Sequence, residues 1–167
     1  AIDKESLDAL LVAHNFGDLR SGTHRSDLVP ALAGRVKAGL GIRNPASFAF
    51  DLLFGCPGWV QGVIQADCMI RTGDAKRVLV LGAETLSRVC DRHDRDSLLY
   101  ADGAGGVILE AVDNDGTEGI LSYAVRSDCL EYSRMLVMGP SNVPGVEPGE
   151  LFLKMEGRKL YKYALGH

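Results

Sequence analysis

The chain has 167 residues, 46% of them hydrophobic and 24% charged, and carries a formal net charge of −4. Such a length and balance suit one soluble domain with a real core. They argue against a general electrostatic attraction to nucleic acid, for which a basic stripe with aromatics is also lacking, and against a membrane protein, since no apolar run approaches a span and nothing resembles a signal peptide.

In chain order, polar residues from Asp3 lead into Leu10-Leu11-Val12-Ala13, which predicts a strand near residues 9–14, although Leu7, Leu10 and Leu11 would also suit a short helix. Asn15 to Arg25 is polar and contains glycine, so it is a loop with room to line a site. Ser26 or Asp27 can cap a helix running to about Lys37, with Leu28, Leu32 and Val36 on one apolar stripe and Pro30 in the first turn. Gly39 and Gly41 end it. Phe48 to Phe54 is an apolar run of strand length, and Trp59 to Ile70 has a helical pattern ending near Gly73. Val78-Leu79-Val80-Leu81 reads as a strand covered on both faces. Residues 48–82 thus form a strand–helix–strand unit, implying a parallel pair.

Further on, Ala83 to Val89 reads as a short helix or turn, and Asp91 to Asp96 as a charged loop. Asp102-Gly103-Ala104-Gly105-Gly106 reads as a tight turn before a strand at Val107 to Ala111. Because those glycines precede a strand and do not open a helix, a dinucleotide fingerprint is rejected. Asn114-Asp115-Gly116 is a turn, and Gly119 to Arg126 a further strand. Residues 127–149, with Pro140, Pro144 and Pro148, read as an irregular excursion before a final helix from Leu151 or Lys154 to Gly166.

The chemistry concentrates at Gly55-Cys56-Pro57-Gly58, where a strand breaks sharply into a helix and leaves the Cys56 side chain at the break. Pro57 suits the first helical position. The positive end of the helix dipole and the unpaired amides there favour the thiolate, which is the nucleophile, and the same amides can hold a carbonyl oxygen under attack. Cys68, Cys90 and Cys129 lack such a setting and read as structural. None of the four cysteines forms a Cys-x-x-Cys pair, and His14, His24, His93 and His167 make no metal pattern, so no metal site and a reducing cytoplasm are expected.

Several ordered segments then carry a resemblance. Phe50-Asp51-Leu52 followed by Gly55-Cys56-Pro57-Gly58-Trp59 resembles the nucleophile segment of the β-ketoacyl-acyl-carrier-protein synthase III family, within the thiolase superfamily. Val80 to Arg88, Asp94-Arg95, Asp102-Gly103-Ala104-Gly105 and Lys154-Met155-Glu156-Gly157 are similar to later landmarks of that family, at matching distances. Pro57 and Trp59 stand where an alanine and a phenylalanine are usual.

The resemblance implies an α/β fold: an incomplete half of a thiolase-like fold, with a mixed, largely parallel sheet flanked by helices. Residues 1–167 would be a partial N-terminal domain that lacks the family's opening strand and its whole second half, to which the catalytic histidine and asparagine belong. Cys56 would take an acyl group from acyl-CoA as a thioester. Malonyl-acyl carrier protein would then supply a carbanion by decarboxylation, for a Claisen condensation in fatty acid biosynthesis. Acyl-CoA is a substrate here, and no resident cofactor is implied.

By the same resemblance Arg95 would contact the adenine and phosphate end of CoA, though the charge cluster alone reads as Arg95 pairing with Asp91, Asp94 or Asp96. Leu86, Trp59 and Ala101 fall where the family lines its acyl pocket, and each would equally serve as core. Phe48 and Phe50 lie on a strand that family members pair across a twofold axis, which implies a homodimer. Lys76 and Arg77 could meet an acidic carrier protein or simply begin a strand. Three other readings stand beside this one: a ketosynthase of polyketide or long-chain type, a non-catalytic half that dimerises, and a redox thiol protein using Cys56 with Cys90 or Cys68.

Overall fold

The apolar run at the start becomes strand β1 (Ala9–Ala13), buried at every residue. The computed structural model describes residues 2–113, 115–145 and 149–167. These form two units, the first comprising Ala1–Asp18, Ser26–Glu84 and Gly103–Tyr123, the second Leu19–Arg25, Thr85–Asp102 and Ala124–His167.

In the first unit β1 lies between helix-covered faces. It is flanked by α1 (Leu32–Gly39), β2 (Phe48–Leu52), α2 (Gly58–Thr72), β3 (Arg77–Thr85) and β4 (Asp102–Glu110). β1 pairs in parallel with both β2 and β3, Leu11 standing opposite Phe50 and Val80. The sheet order is β2-β1-β3-β4. Alternate residues of a strand face opposite sides, and β1 uses both. Ala9 and Leu11 join Val78, Val80, Ala66 and Val63 on the α2 side, while Leu10 joins Leu7, Ile42 and Val36 on the α1 side. Glycine lets α2 approach closely: a Cβ on Gly62 would stand 2.8 Å from Val80 Cγ1. Gly73, at φ 82°, closes α2 with its amide on the Ile70 and Met69 carbonyls.

The α/β class and the largely parallel sheet agree with the sequence, but several local expectations do not. β2 and β3 are parallel without being neighbours, because β1 occupies the place between them. The first helix starts at Leu32, not at Ser26 or Asp27, so Pro30 precedes it. Its cap comes from another element: the Asp51 carboxylate on β2 accepts the Leu32 and Ala33 amides at 3.0 and 2.7 Å. Burial works against that carboxylate, yet the Ala33 amide, the His14 imidazole and the Leu32 amide hold it below the ordinary carboxylate range. His14 is buried, with Nε2 3.0 Å from Asp51 Oδ2.

Two glycine-rich readings change as well. Asp102 to Gly106 is not a tight turn; it is the first half of β4. The Ala111 amide donates to the Lys76 carbonyl at 2.7 Å while Gly106 lies over Val80 and Leu81, so β4 runs against β3. A Cβ on Gly106 would stand 2.9 Å from the Val80 oxygen. The expected strand over Gly119 to Arg126 does not form. Within the first unit, side chains of α2 hold that segment instead, Arg71 donating to the Ile120 carbonyl at 2.5 Å and Cys68 Sγ lying 3.3 Å from the Tyr123 hydroxyl. Asn114 of the expected turn and Pro148 of the expected excursion lie outside the described residues. Arg77 is tied to Ser6 and Glu110, and Asp8 accepts the Lys76 and Arg77 amides, which favours the plain strand-entry reading of that basic pair.

The second unit contains α3 (Cys129–Tyr132), an antiparallel pair of β5 (Leu136–Gly139) and β6 (Phe152–Met155), and α4 (Gly157–Gly166). The final helix therefore begins at Gly157, and the residues from Phe152 form a strand. The supposed charged loop centres on a buried group, Asp91, at 1% exposure. Its carboxylate accepts from Lys154 Nζ at 2.5 Å, the Asn142 amide at 2.8 Å, the His93 amide at 3.0 Å and the Ser141 hydroxyl at 3.1 Å. Burial opposes the charge, but Lys154 and these donors outweigh it and hold Asp91 far below the usual carboxylate range.

A carboxyl depressed in the folded state stabilises above its unfolded pKa, and that contribution is lost as pH falls through the folded value. Replacing Lys154 with methionine leaves Asp91 buried without its countercharge, which costs about 3 kcal/mol near neutral pH. Urea unfolding of Lys154→Met should show that loss. Its gap to the wild type should narrow below about pH 4, where Asp91 in the variant takes up a proton. A gap independent of pH would show that Asp91 does not carry the charge.

Candidate active site

β2 ends at Leu52 and α2 begins at Gly58, leaving five residues to reverse the chain. Gly55 makes the reversal in the left-handed region, at φ 75°. Its carbonyl accepts the Gly58 amide at 2.9 Å, and its amide donates to Asn15 Oδ1 at 3.1 Å. Pro57 is the residue just before the helix, one place earlier than expected, and its carbonyl accepts the Gln61 amide at 3.0 Å. Pro57 has no amide and that of Gly58 is used within the turn.

Cys56 is exposed at this break and opens into a cleft of about 240 Å³ within the first unit. Trp59, the second residue of α2, lines the same cleft with Glu84 and the Gly103–Gly105 stretch of β4. Gly82 faces Trp59, with an added Cβ 3.4 Å from the indole, so the lack of a side chain on β3 makes room for the ring. Glu84 belongs to β3, not to a helix or turn, and both of its oxygens are engaged. Oε1 accepts the Asn15 amide at 2.7 Å and Oε2 the Phe16 amide at 2.8 Å.

Leu86, Ala101 and Arg95 belong to the second unit. Leu86 opens a short 3-10 turn and is half-buried, and Ala101 is exposed. The Arg95 side chain is 95% exposed, its Nε 3.8 Å from Asp96 Oδ1. Asp91 and Asp94 are taken instead by Lys154. Cys90 donates its thiol to the Leu86 carbonyl at 2.8 Å, and burial, aided by the Asp102 charge, pushes that thiol up. The loop at 21–24 does line a cavity: about 680 Å³, wholly within the second unit, with His24, Arg88, Arg92 and His93 around it. Among the described residues no three His, Cys, Asp or Glu side chains converge as metal ligands, and no helix is long and apolar enough to cross a membrane.

The sequence model of 3-oxoacyl-[acyl-carrier-protein (ACP)] synthase III matches residues 50–129, a span that starts on β2 and contains Cys56. A curated β-ketoacyl-[acyl-carrier-protein] synthase III from a Bradyrhizobium species is 38% identical over 170 aligned residues, covering 99% of this chain and 48% of the relative. The chain belongs to the β-ketoacyl-acyl-carrier-protein synthase III family. It spans about half the length of the curated relatives it matches. The synthase III of Thermus thermophilus has the same fold, with TM-score 0.75 and 33% identity over 96% of this chain and 47% of that one. The priming β-ketosynthase of the R1128 polyketide pathway is similar at TM-score 0.75 and 26% identity, over 99% and 46% of the two chains.

Within this family setting, sequence reading located the Cys56 elbow and Trp59 but missed Asn15, Glu84 and the His14–Asp51 pair. A polar residue in a loop gives no periodic signal, and the partners of Asn15 lie 40 and 69 residues away. The left-handed turn is testable. Gly55→Ala has open space for its methyl group but an unfavourable φ. It should lower stability by about 1 kcal/mol, read as a shifted urea midpoint, and an unchanged midpoint would contradict the left-handed geometry.

Proposed function

We propose that this chain is the nucleophile-bearing part of a cytoplasmic synthase III-type acyltransferase of fatty acid biosynthesis. The observation that carries the reading is the exposed Cys56 thiol, held at a left-handed strand-to-helix elbow over a cleft bounded by Trp59. In the loading step the Cys56 thiolate attacks the carbonyl carbon of acyl-CoA, a C–S bond forms, and CoA leaves with the electron pair of the broken thioester bond. The Cys56 amide would donate to the oxyanion that forms. In the second step malonyl-acyl carrier protein loses carbon dioxide, and its carbanion attacks the acyl-Cys56 carbonyl, expelling the Cys56 thiolate.

The histidine and asparagine that the family uses to steady the thioester enolate match no position of these 167 residues. Condensation is therefore assigned to the chain acting with a second half, and acyl loading to the residues described above. Trp59, which lines the Cys56 cleft, would limit the acyl chain there. In the second unit, the cavity where Arg88 and Arg92 stand with Asp91 would offer guanidinium groups to a phosphate, whereas Arg95 is almost wholly in solvent. Homodimerisation through the edge strand β2 fits the ring pair Phe48 and Phe50, stacked at 6.3 Å with Phe48 41% exposed. A second reading, starter-unit condensation in polyketide synthesis, rests on the likeness to the R1128 priming ketosynthase.

The test is peptide mass spectrometry after incubation with acetyl-CoA and with longer acyl-CoAs. An acyl adduct on Cys56, absent in Cys56→Ser, is expected, and its dependence on chain length separates the fatty acid and polyketide readings. No adduct, even when the family's second half is supplied, would leave a non-catalytic dimerising role.

A further inference from the structure

Three residues far apart in sequence meet at the elbow, and none of them is the nucleophile. Glu84 on β3 accepts the amides of Asn15 and Phe16 with its two oxygens, at 2.7 and 2.8 Å. The side chain of Asn15 in turn accepts the Gly55 amide at 3.1 Å. Gly55 is the left-handed residue immediately before Cys56, and its carbonyl is tied to Gly58 at 2.9 Å. The peptide unit that aims the Cys56 amide is thus fixed on its upstream side by Asn15 and on its downstream side by the first residue of α2.

We infer that Asn15 is a positioning residue for acyl transfer at Cys56, itself held in place by Glu84. This rests on the acyltransferase reading of the same site. Glu84, although it lines the cleft, holds a backbone amide with each of its two oxygens. Asn15 touches no reacting atom. Its effect passes through Gly55 to the orientation of the thiol and the adjoining amide, and misplacement of a reacting group by about 1 Å costs up to 10²-fold in rate. Asn15 is itself exposed, so truncating it empties no core.

Two reagents separate positioning from thiol reactivity. With p-nitrophenyl acetate the Cys56 thiolate attacks the carbonyl carbon, a C–S bond forms through an oxyanion intermediate, and p-nitrophenolate departs with the electron pair. With iodoacetamide the same thiolate displaces iodide and no oxyanion develops. The ratio of the two rate constants cancels the fraction of thiolate present, and it is measured peptide by peptide on the full chain. Cys129, also exposed, serves as the reference thiol.

Asn15→Ala should lower the acylation-to-alkylation ratio at Cys56 by about tenfold and leave that at Cys129 unchanged. Asn15→Asp keeps an acceptor oxygen for the Gly55 amide and should stay close to the wild-type ratio. A urea midpoint within error of the wild type confirms that each variant is folded. An unchanged ratio in Asn15→Ala, or an equal fall in Asn15→Asp, would overturn the inference. Absence of a Cys56 adduct from acetyl-CoA, with the p-nitrophenyl acetate pattern intact, would instead overturn the acyltransferase reading and leave the positioning role of Asn15 standing.

Discussion

β1 meets water on neither face, and the first unit depends on that constraint. A strand in that position must be apolar at consecutive residues, and Ala9–Ala13 is. It must also find hydrogen-bond partners on both edges, because a buried unpaired amide or carbonyl costs as much as a lost bond. β2 and β3 supply them in parallel register. With β1 between them, β2 and β3 place their carboxyl-terminal ends side by side with its own. Cys56 follows the end of β2, Asn15 the end of β1, and Glu84 sits near the end of β3. The candidate site is therefore a product of strand order: the three chain segments that build the elbow emerge from one edge of one sheet.

The second unit rests on a different kind of interaction. Its Asp91 is buried among donors, and a carboxylate there is tolerable only because Lys154 and three further groups surround it. That arrangement joins the segment after β3 to β6 and to the residues at 141–142. Beside it the Leu153 amide donates to the Val89 carbonyl at 2.8 Å. A charge cluster that looks like a solvated loop in sequence is in fact the point where this unit is fastened. The same cluster leaves Arg95 outside, its side chain almost wholly in solvent.

Acyl transfer asks little of the protein beyond geometry and a directed amide. The elbow is shaped through backbone, with glycine at the position whose φ lies in the left-handed region. Asn15 and Glu84 then do for the elbow what a helix cap does for a helix end, satisfying amides that the turn leaves without partners. This explains how a cysteine on an exposed turn can be held in place without being buried.

What the sequence alone determined is the kind of the elements around the elbow and the place of Cys56 at its break. The consecutive apolar residues at 9–13 and 78–81 read as covered strands. A glycine–cysteine–proline–glycine break between a strand and a helix leaves its cysteine outward. These are local statements, and local sterics decide them. The tertiary structure decided everything that depends on who the neighbour is. It put β1 between β2 and β3, gave α1 its cap from Asp51 in place of Ser26 or Asp27, and turned the glycines at 103–106 into a strand that lies close against Val80. It also gave Asp91 to Lys154 and Gly55 to Asn15. Hydrogen-bond partners 40 to 70 residues apart leave no periodic trace in a chain, because only the packed sheet brings them within bonding distance.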